Sequence, residues 1–363
     1  MQGIFVHAEA TEPIKIAAIF AKTGIAAEDN APLFEGVSLA VEETNSQGGL
    51  LGRQLEVIEL DNSSSFIGSK QAALKAVELD VVAVIGAAWS SHSLAMAPVL
   101  QQAEIPMISP ISTNPKVTLV GDYIFRVCFT DPFQGKVMAQ FAYRDLKART
   151  ANILTNVNSD FSIGLAEFFE KSFIQSGGKV LWEGEYKEKA VDFSAVLKKV
   201  RLLRPDVVFV PGYITDSAFL IKQAREMRIR AVFLGGDGWS GDEMYKYGGK
   251  AIEGSYYSQH WHSKVPFPRS QQLQANYHRK YGTKKLPEFL PTGYDAAMVL
   301  AEAIRRAQSL DHKEIRDALA ATKSFQGATG TITFDENGDP VNKDAVILKF
   351  ENGISVFVKT IKP

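Results

Sequence analysis

Short apolar runs rich in Val, Ile, Ala and Phe alternate along the chain with longer stretches whose apolar positions recur every three or four residues. The runs over 14–20, 54–61, 81–86 and 107–109 have the length and composition of buried strands, and helical stripes fill 32–45, 65–78 and 90–103 between them. In the first stripe Leu33, Phe34, Val37, Leu39, Ala40 and Val41 share a face. Pro32 suits a first helical turn, and Gly48-Gly49 ends the helix. Strands separated by helices of this length imply βαβ units and a parallel sheet.

The rhythm then restarts. Helices are expected over 133–146, 162–176, 193–203 and 216–227, with strands over 151–155, 179–182, 206–210 and 231–234. This gives a second parallel sheet. After an extended stretch at 254–261 come helices over 270–281, 291–309 and 313–322, a strand over 330–334, the turn Asp335-Glu336-Asn337-Gly338-Asp339-Pro340, and a hairpin. Asn352-Gly353 fits its two-residue connection. No low-complexity linker separates the halves, so several short crossovers and a hinge are expected.

Composition narrows the function. Of 363 residues, 45% are hydrophobic, too many for a solvating disordered chain. Lys and Arg number 40 against 41 Asp and Glu, a balance that argues against a whole-chain nucleic-acid binder. The single Cys128 excludes an internal disulfide framework and a cysteine-cluster metal site. No apolar run approaches the roughly 18 residues of a spanning helix. At the start, Ala8-Glu9-Ala10 follows a short apolar patch and matches the small-residue pattern that signal peptidase cuts, so residues 1–13 read as a signal-peptide remnant or a frayed terminus.

Ligands of open α/β sheets bind beyond the carboxyl ends of strands. The residues there are rich in hydroxyls and aromatics and poor in Lys and Arg. Gly236-Asp237-Gly238-Trp239-Ser240-Gly241 matches a dinucleotide loop, but Asp237 would repel a pyrophosphate and Asp242-Glu243 add more negative charge. Ser90-Ser91-His92-Ser93 lacks the nucleophile elbow of a hydrolase. Ser90 is instead expected at a helix N-cap, as an anion site or a plain cap. Ser112-Thr113 forms either an ordinary turn or a second donor to the same anion. His260-Trp261-His262 lacks a third metal ligand and reads as a solvated strand end. Asp237 and Tyr213 stand at matching places in the second half. An acid there can accept from an ammonium and an aromatic face can cover it. An anion site in one half and a cation site in the other describe a zwitterion.

Six segments carry a resemblance that extends over the chain from Ile14. They are FEGVSLAVEETNSQGGLLGRQLEVIELDN at 34–62, VIGAAWSSHSLAMAPVL at 84–100, MISPISTNPKVT at 107–118, DFSAVLKKVRLLRPDVVFVPGY at 192–213, LGGDGW at 234–239 and TGYDAAMVLAEAI at 292–304. The chain resembles the substrate-binding proteins of branched-chain amino-acid ABC transporters, which are type I periplasmic binding proteins. The resemblance implies an α/β fold of two Rossmann-like lobes with parallel sheets, joined by a three-strand hinge. Lobe one would comprise 14–130 and 258–338, and lobe two 131–257 and 339–363.

It also implies an exported, monomeric binding protein. Such a protein captures an amino acid, most simply an aliphatic or branched one, and passes it to a membrane permease without catalysis, cofactor or metal. A ligand-sensing domain, or a binder of amides or aromatic carboxylates, is the alternative on the same fold. By motif, the family's ligand residues fall on Ser90, on Thr113 with the Ile111 carbonyl, on Trp89 through its backbone, on Phe161 where many relatives have Tyr, on Tyr213, and on Asp237 as ammonium acceptor. Two departures stand out. The first-lobe disulfide of some relatives would fall near Ser64 and Trp89 and is absent. A ligand-packing Trp falls on or near Asp29, where the pair Glu28-Asp29 either meets a polar or basic ligand side chain or faces water at the rim.

Overall fold

A computed structural model describes residues 12–363, so the expected signal remnant lies almost wholly outside the described residues. The first lobe is built on β1 (Ile14–Phe20), α1 (Ala27–Ser46), β2 (Leu55–Asp61), α2 (Phe66–Glu78), β3 (Ala83–Gly86), α3 (Ser90–Gln102), β4 (Met107–Ser109) and β5 (Ile124–Arg126). Their strands form a parallel sheet in the order β2-β1-β3-β4-β5. The second lobe contains α4 (Asp131–Gln140), β6 (Thr150–Asn156), α5 (Asp160–Gln175), β7 (Lys179–Tyr186), α6 (Ser194–Leu203), β8 (Val207–Phe209), α7 (Ile214–Glu226), β9 (Val232–Gly235), α8 (Gly241–Gly248) and β10 (Tyr256–Gln259). The chain then returns to the first lobe for α9 (Pro268–Tyr281), α10 (Leu290–Ala307), α11 (His312–Ala320) and the small hairpin of β11 (Phe325–Gly327) and β12 (Gly330–Ile332). It ends in the second lobe with β13 (Ala345–Glu351) and β14 (Ile354–Ile361), giving a sheet ordered β14-β13-β10-β9-β8-β6-β7.

The second sheet is parallel only from β7 to β10, because β13 and β14 add antiparallel to its edge. Asn352 and Gly353, at φ of 55° and 83°, form the expected tight turn between them. The lobe boundary drawn at 258 falls inside β10, whose four residues pair with β13. α1 also begins five residues before the expected start, so Pro32 lies inside the helix instead of in its first turn. Glu28 and Asp29 occupy that turn, where negative charge complements the helix N-terminus. α1 packs on α10 through two glycines. A Cβ on Gly36 would lie 2.1 Å from the Leu290 carbonyl oxygen, and one on Gly293 would lie 2.1 Å from that of Leu33.

At the crossovers a fully buried guanidinium joins three segments. Arg126, the last residue of β5, donates to Asp339 at 2.6 Å, to the Thr118 hydroxyl at 2.7 Å and to the Ser112 carbonyl. Arg126 has no side-chain exposure and Asp339 has 18%. Removing the acid leaves a buried charge without its counter-ion, so Asp339→Ala should lower the unfolding free energy by about 3 kcal/mol in urea titrations. A loss below about 1 kcal/mol, the range of a surface pair, would mean that water already carries this charge.

Candidate functional site

The carboxyl ends of the central strands of both lobes face one cleft. After β3 come Ala88, Trp89 and Ser90; after β4 come Ile111 and Thr113; α5 brings Phe161 after β6; Tyr213 follows β8 and Asp237 follows β9. A cavity of about 20 Å³ lies between them, lined by Trp89, Ser90, Ile111, Phe161, Tyr213 and Asp237, together with Asp29, Ala88, Gly238 and Phe289. Thr113 is buried just outside this lining, with its hydroxyl beside the Asp131 carboxyl. Phe289 has no motif near it that marks a cleft residue; it enters because α10 begins against the first lobe's strand ends.

On the first lobe the site offers donors. The helix cap is Trp89 and not Ser90, because Trp89 has extended backbone angles and Ser90 already begins α3. The Ser90 hydroxyl accepts from the Asn114 backbone N–H at 3.2 Å, which ties the two loops together and leaves its proton free. No side chain caps α3; the Trp89 carbonyl takes the N–H groups of His92 and Ser93, each at 3.0 Å, which leaves those of Ser90 and Ser91 without an intrahelical acceptor. Arg126 holds the Ser112 carbonyl, and the Asp131 N–H donates to the Thr113 carbonyl at 2.9 Å, fixing the turn that carries Thr113.

On the second lobe the site offers acceptors. Asp237 is 3% exposed; one carboxylate oxygen meets His260 Nε2 at 2.7 Å and the other has no partner. His260 is therefore a buried partner of Asp237, its ring centroid 3.9 Å from that of Phe129 with the planes tilted by 34°, and the solvated strand end expected for it is overturned. Asp237 is also not a lone acid. Asp131, at the start of α4, is fully buried; burial raises its carboxyl well above the ordinary range and the charge of Asp237 adds to the effect, while the neighbouring Thr113 hydroxyl and Arg126 oppose it. Its place in the sequence, after a three-residue strand that periodicity did not reveal, gave no signal. In the glycine-rich loop a Cβ on Gly238 would lie 2.6 Å from the Gly212 carbonyl oxygen, so this glycine serves close loop packing.

Aromatic rings close the cleft. Trp89 presents its indole face, not its backbone alone. It stacks on Tyr213 of the opposite lobe with centroids 3.9 Å apart and planes 8° from parallel. His92 backs Trp89 at 5.3 Å and Phe161 backs Tyr213 at 5.4 Å, so four rings form a column across the cleft. Polar contacts flank it: Ser91 Oγ accepts from the Asp160 N–H at 3.0 Å, and Asn114 Nδ2 donates to the Asp160 carbonyl at 2.7 Å. At the rim Glu28 accepts from Lys246 at 2.6 Å and from the Tyr247 hydroxyl at 2.8 Å, and these donors hold its carboxyl below the usual range. Glu28 thus spans the cleft, whereas Asp29 lines the cavity.

This geometry places the chain among known proteins. A family model described as periplasmic binding protein matches residues 13–353. The chain is a periplasmic binding protein. It is 37% identical to a leucine-binding protein from Thermotoga maritima, whose crystal structure superposes with a TM-score of 0.92 over 96% of this chain and 99% of that one. A branched-chain amino-acid binding protein from Streptococcus pneumoniae, solved with isoleucine, is 30% identical with a TM-score of 0.91, over 97% of this chain and all of that one. A Pseudomonas aeruginosa protein named for binding leucine, isoleucine, valine, threonine and alanine is 28% identical over 96% of this chain and 92% of its own length. Like other members, this periplasmic binding protein is an extracytoplasmic, non-catalytic solute binder that serves an ABC importer.

The ring column makes one titration testable. Burial pushes His92 down to about 4 from 6.5. The unfolded chain therefore takes up this proton first as pH falls. The stability from a neutral His92 is whole above about pH 6.5 and is lost progressively from there toward about pH 4. Between pH 7 and pH 5 the wild type should lose about 2 kcal/mol more unfolding free energy than His92→Phe. Equal losses in the two proteins would contradict a neutral His92.

Proposed function

We propose that the cleft captures the zwitterionic head of an aliphatic α-amino acid and delivers it to the membrane permease of an ABC importer. The observation that carries this reading is the polarity of the two walls. The first lobe presents N–H groups and the hydroxyls of Ser90 and Thr113 to a carboxylate, while the second presents Asp237 with an unpartnered oxygen to an ammonium. Asp131 stands behind Asp237 as a second buried acid that an arriving cation stabilises in its ionised form. Ile111, Phe161, Tyr213 and Phe289 surround the remaining volume with apolar surface. A ligand that is only a carboxylate would leave both acids unpaired, which disfavours the aromatic acids considered from sequence.

The lobes divide near residues 130, 260 and 340, and ligand bridging them shifts the population toward the closed form. Both halves of the site come from one chain, so a monomer suffices. The relatives point the same way, one being named for small and branched amino acids and another solved with isoleucine.

Thermal unfolding against the twenty amino acids tests the class. A ligand at 100 times its Kd should add about 2.7 kcal/mol of stability. Replacing a charge-assisted acceptor costs about 2 kcal/mol, so Asp237→Asn should weaken the best ligand about 30-fold in isothermal titration. Stabilisation by des-amino carboxylates equal to that by amino acids would overturn the ammonium site.

A further inference from the structure

Behind the ring column lies a second, larger space. A chamber of about 480 Å³ opens on the outer side of the cleft, lined from the first lobe by Gly24, Ile25 and Glu28 and from the second by Asn156, Asp216 and Phe219. Three residues border both this chamber and the inner cavity: Asp29, Trp89 and Tyr213. They are therefore the partition between the two. Two of them are the facing rings of the column, and at 3.9 Å no atom passes between them. Neither ring can turn aside cheaply. Trp89 is 7% exposed with His92 behind it, and Tyr213 is backed by Phe161.

The inner cavity of about 20 Å³ is on the order of one or two water volumes by the same measure. A short side chain asks for the least widening there. A long one must break the stack to reach the chamber. The chamber is also acidic where it could be reached. Burial pushes Asp216 up to about 6, and Asp29 is raised by burial with the charges of Glu243, Glu28 and Asp216 adding.

We infer that Trp89 sets the specificity of the site, confining the ligand to small side chains by walling the inner cavity off from the acidic outer chamber. This rests on the amino-acid reading above and deepens it. Removing the indole joins the two spaces. The merged site then has length for an extended side chain and carboxyls for a terminal ammonium.

The test is isothermal titration of alanine, valine, methionine and lysine against the wild type, Trp89→Ala and Trp89→Phe, with circular dichroism confirming the fold. The wild type should bind alanine or valine at least tenfold tighter than methionine or lysine. Trp89→Phe keeps a ring on Tyr213 and should keep that order. Trp89→Ala should narrow or invert it, raising methionine and lysine at least tenfold relative to alanine. If Trp89→Ala does not fold, Trp89→Leu serves the same comparison. Methionine or lysine bound by the wild type as tightly as alanine would overturn the inference, as would affinity ratios that shift less than tenfold in the alanine variant, and either result leaves the amino-acid site standing. A wild type that binds no α-amino acid would instead overturn the underlying reading.

Discussion

The buried guanidinium of Arg126 is the fixed point about which the cleft is arranged. A charge taken out of water requires both a counter-ion and a full set of acceptors. Asp339, the Thr118 hydroxyl and the Ser112 carbonyl supply them, and they lie on three separate segments. One is next to the turn that carries Thr113, and another is where the chain makes its last passage between lobes. Satisfying one side chain therefore sets the donor wall of the site and ties it to the crossovers. Lobe movement about this point need not disturb the donors, because Arg126 and the turn lie on the same lobe.

Closure is made from contacts that are individually weak and differently exposed. The Glu28–Lys246 pair lies at the rim with both partners about half exposed, where such pairs contribute about 0–1 kcal/mol. The Trp89–Tyr213 stack adds a similar increment beyond its buried area, about 0.5–1.5 kcal/mol. Neither commits the molecule to one state. A ligand that pairs the unpartnered oxygen of Asp237 on one wall and the open N–H groups of α3 on the other contributes on both sides at once. Only a bridging ligand would do so, and the opposite polarity of the two walls suits one.

The sequence revealed the framework well where the pattern was long. β1 falls on its expected residues, and β2 begins one residue inside its expected range. It failed where elements are short or where a partner lies far off. β5 and β11 have three residues each, too few for a period to show. Pro32 suggested a late start for α1, yet the acidic residues before it extend the helix by five positions. The antiparallel edge of the second sheet comes from a hairpin nearly ninety residues after β10. Of the site, the residues that follow strands were legible because the fold class puts ligands there, and six of seven line the cavity. Their partners were not legible. His260 lies 23 residues beyond Asp237, and Asp131 lies 106 before it, with no local pattern marking either as its neighbour.

Those missed partners change what the acidic wall can do. Asp237 alone would be a buried carboxylate facing a cavity, costly in the empty protein. Through one oxygen His260 fixes its orientation and satisfies part of its demand. The other oxygen stays open toward the cleft. Asp131 is a second buried acid of the same wall, and burial favours its neutral form until a cation is near. The open oxygen of Asp237 is the acceptor that the proposed ammonium would use. Two acids on one wall, one with an open oxygen, suit the cationic head proposed for the ligand.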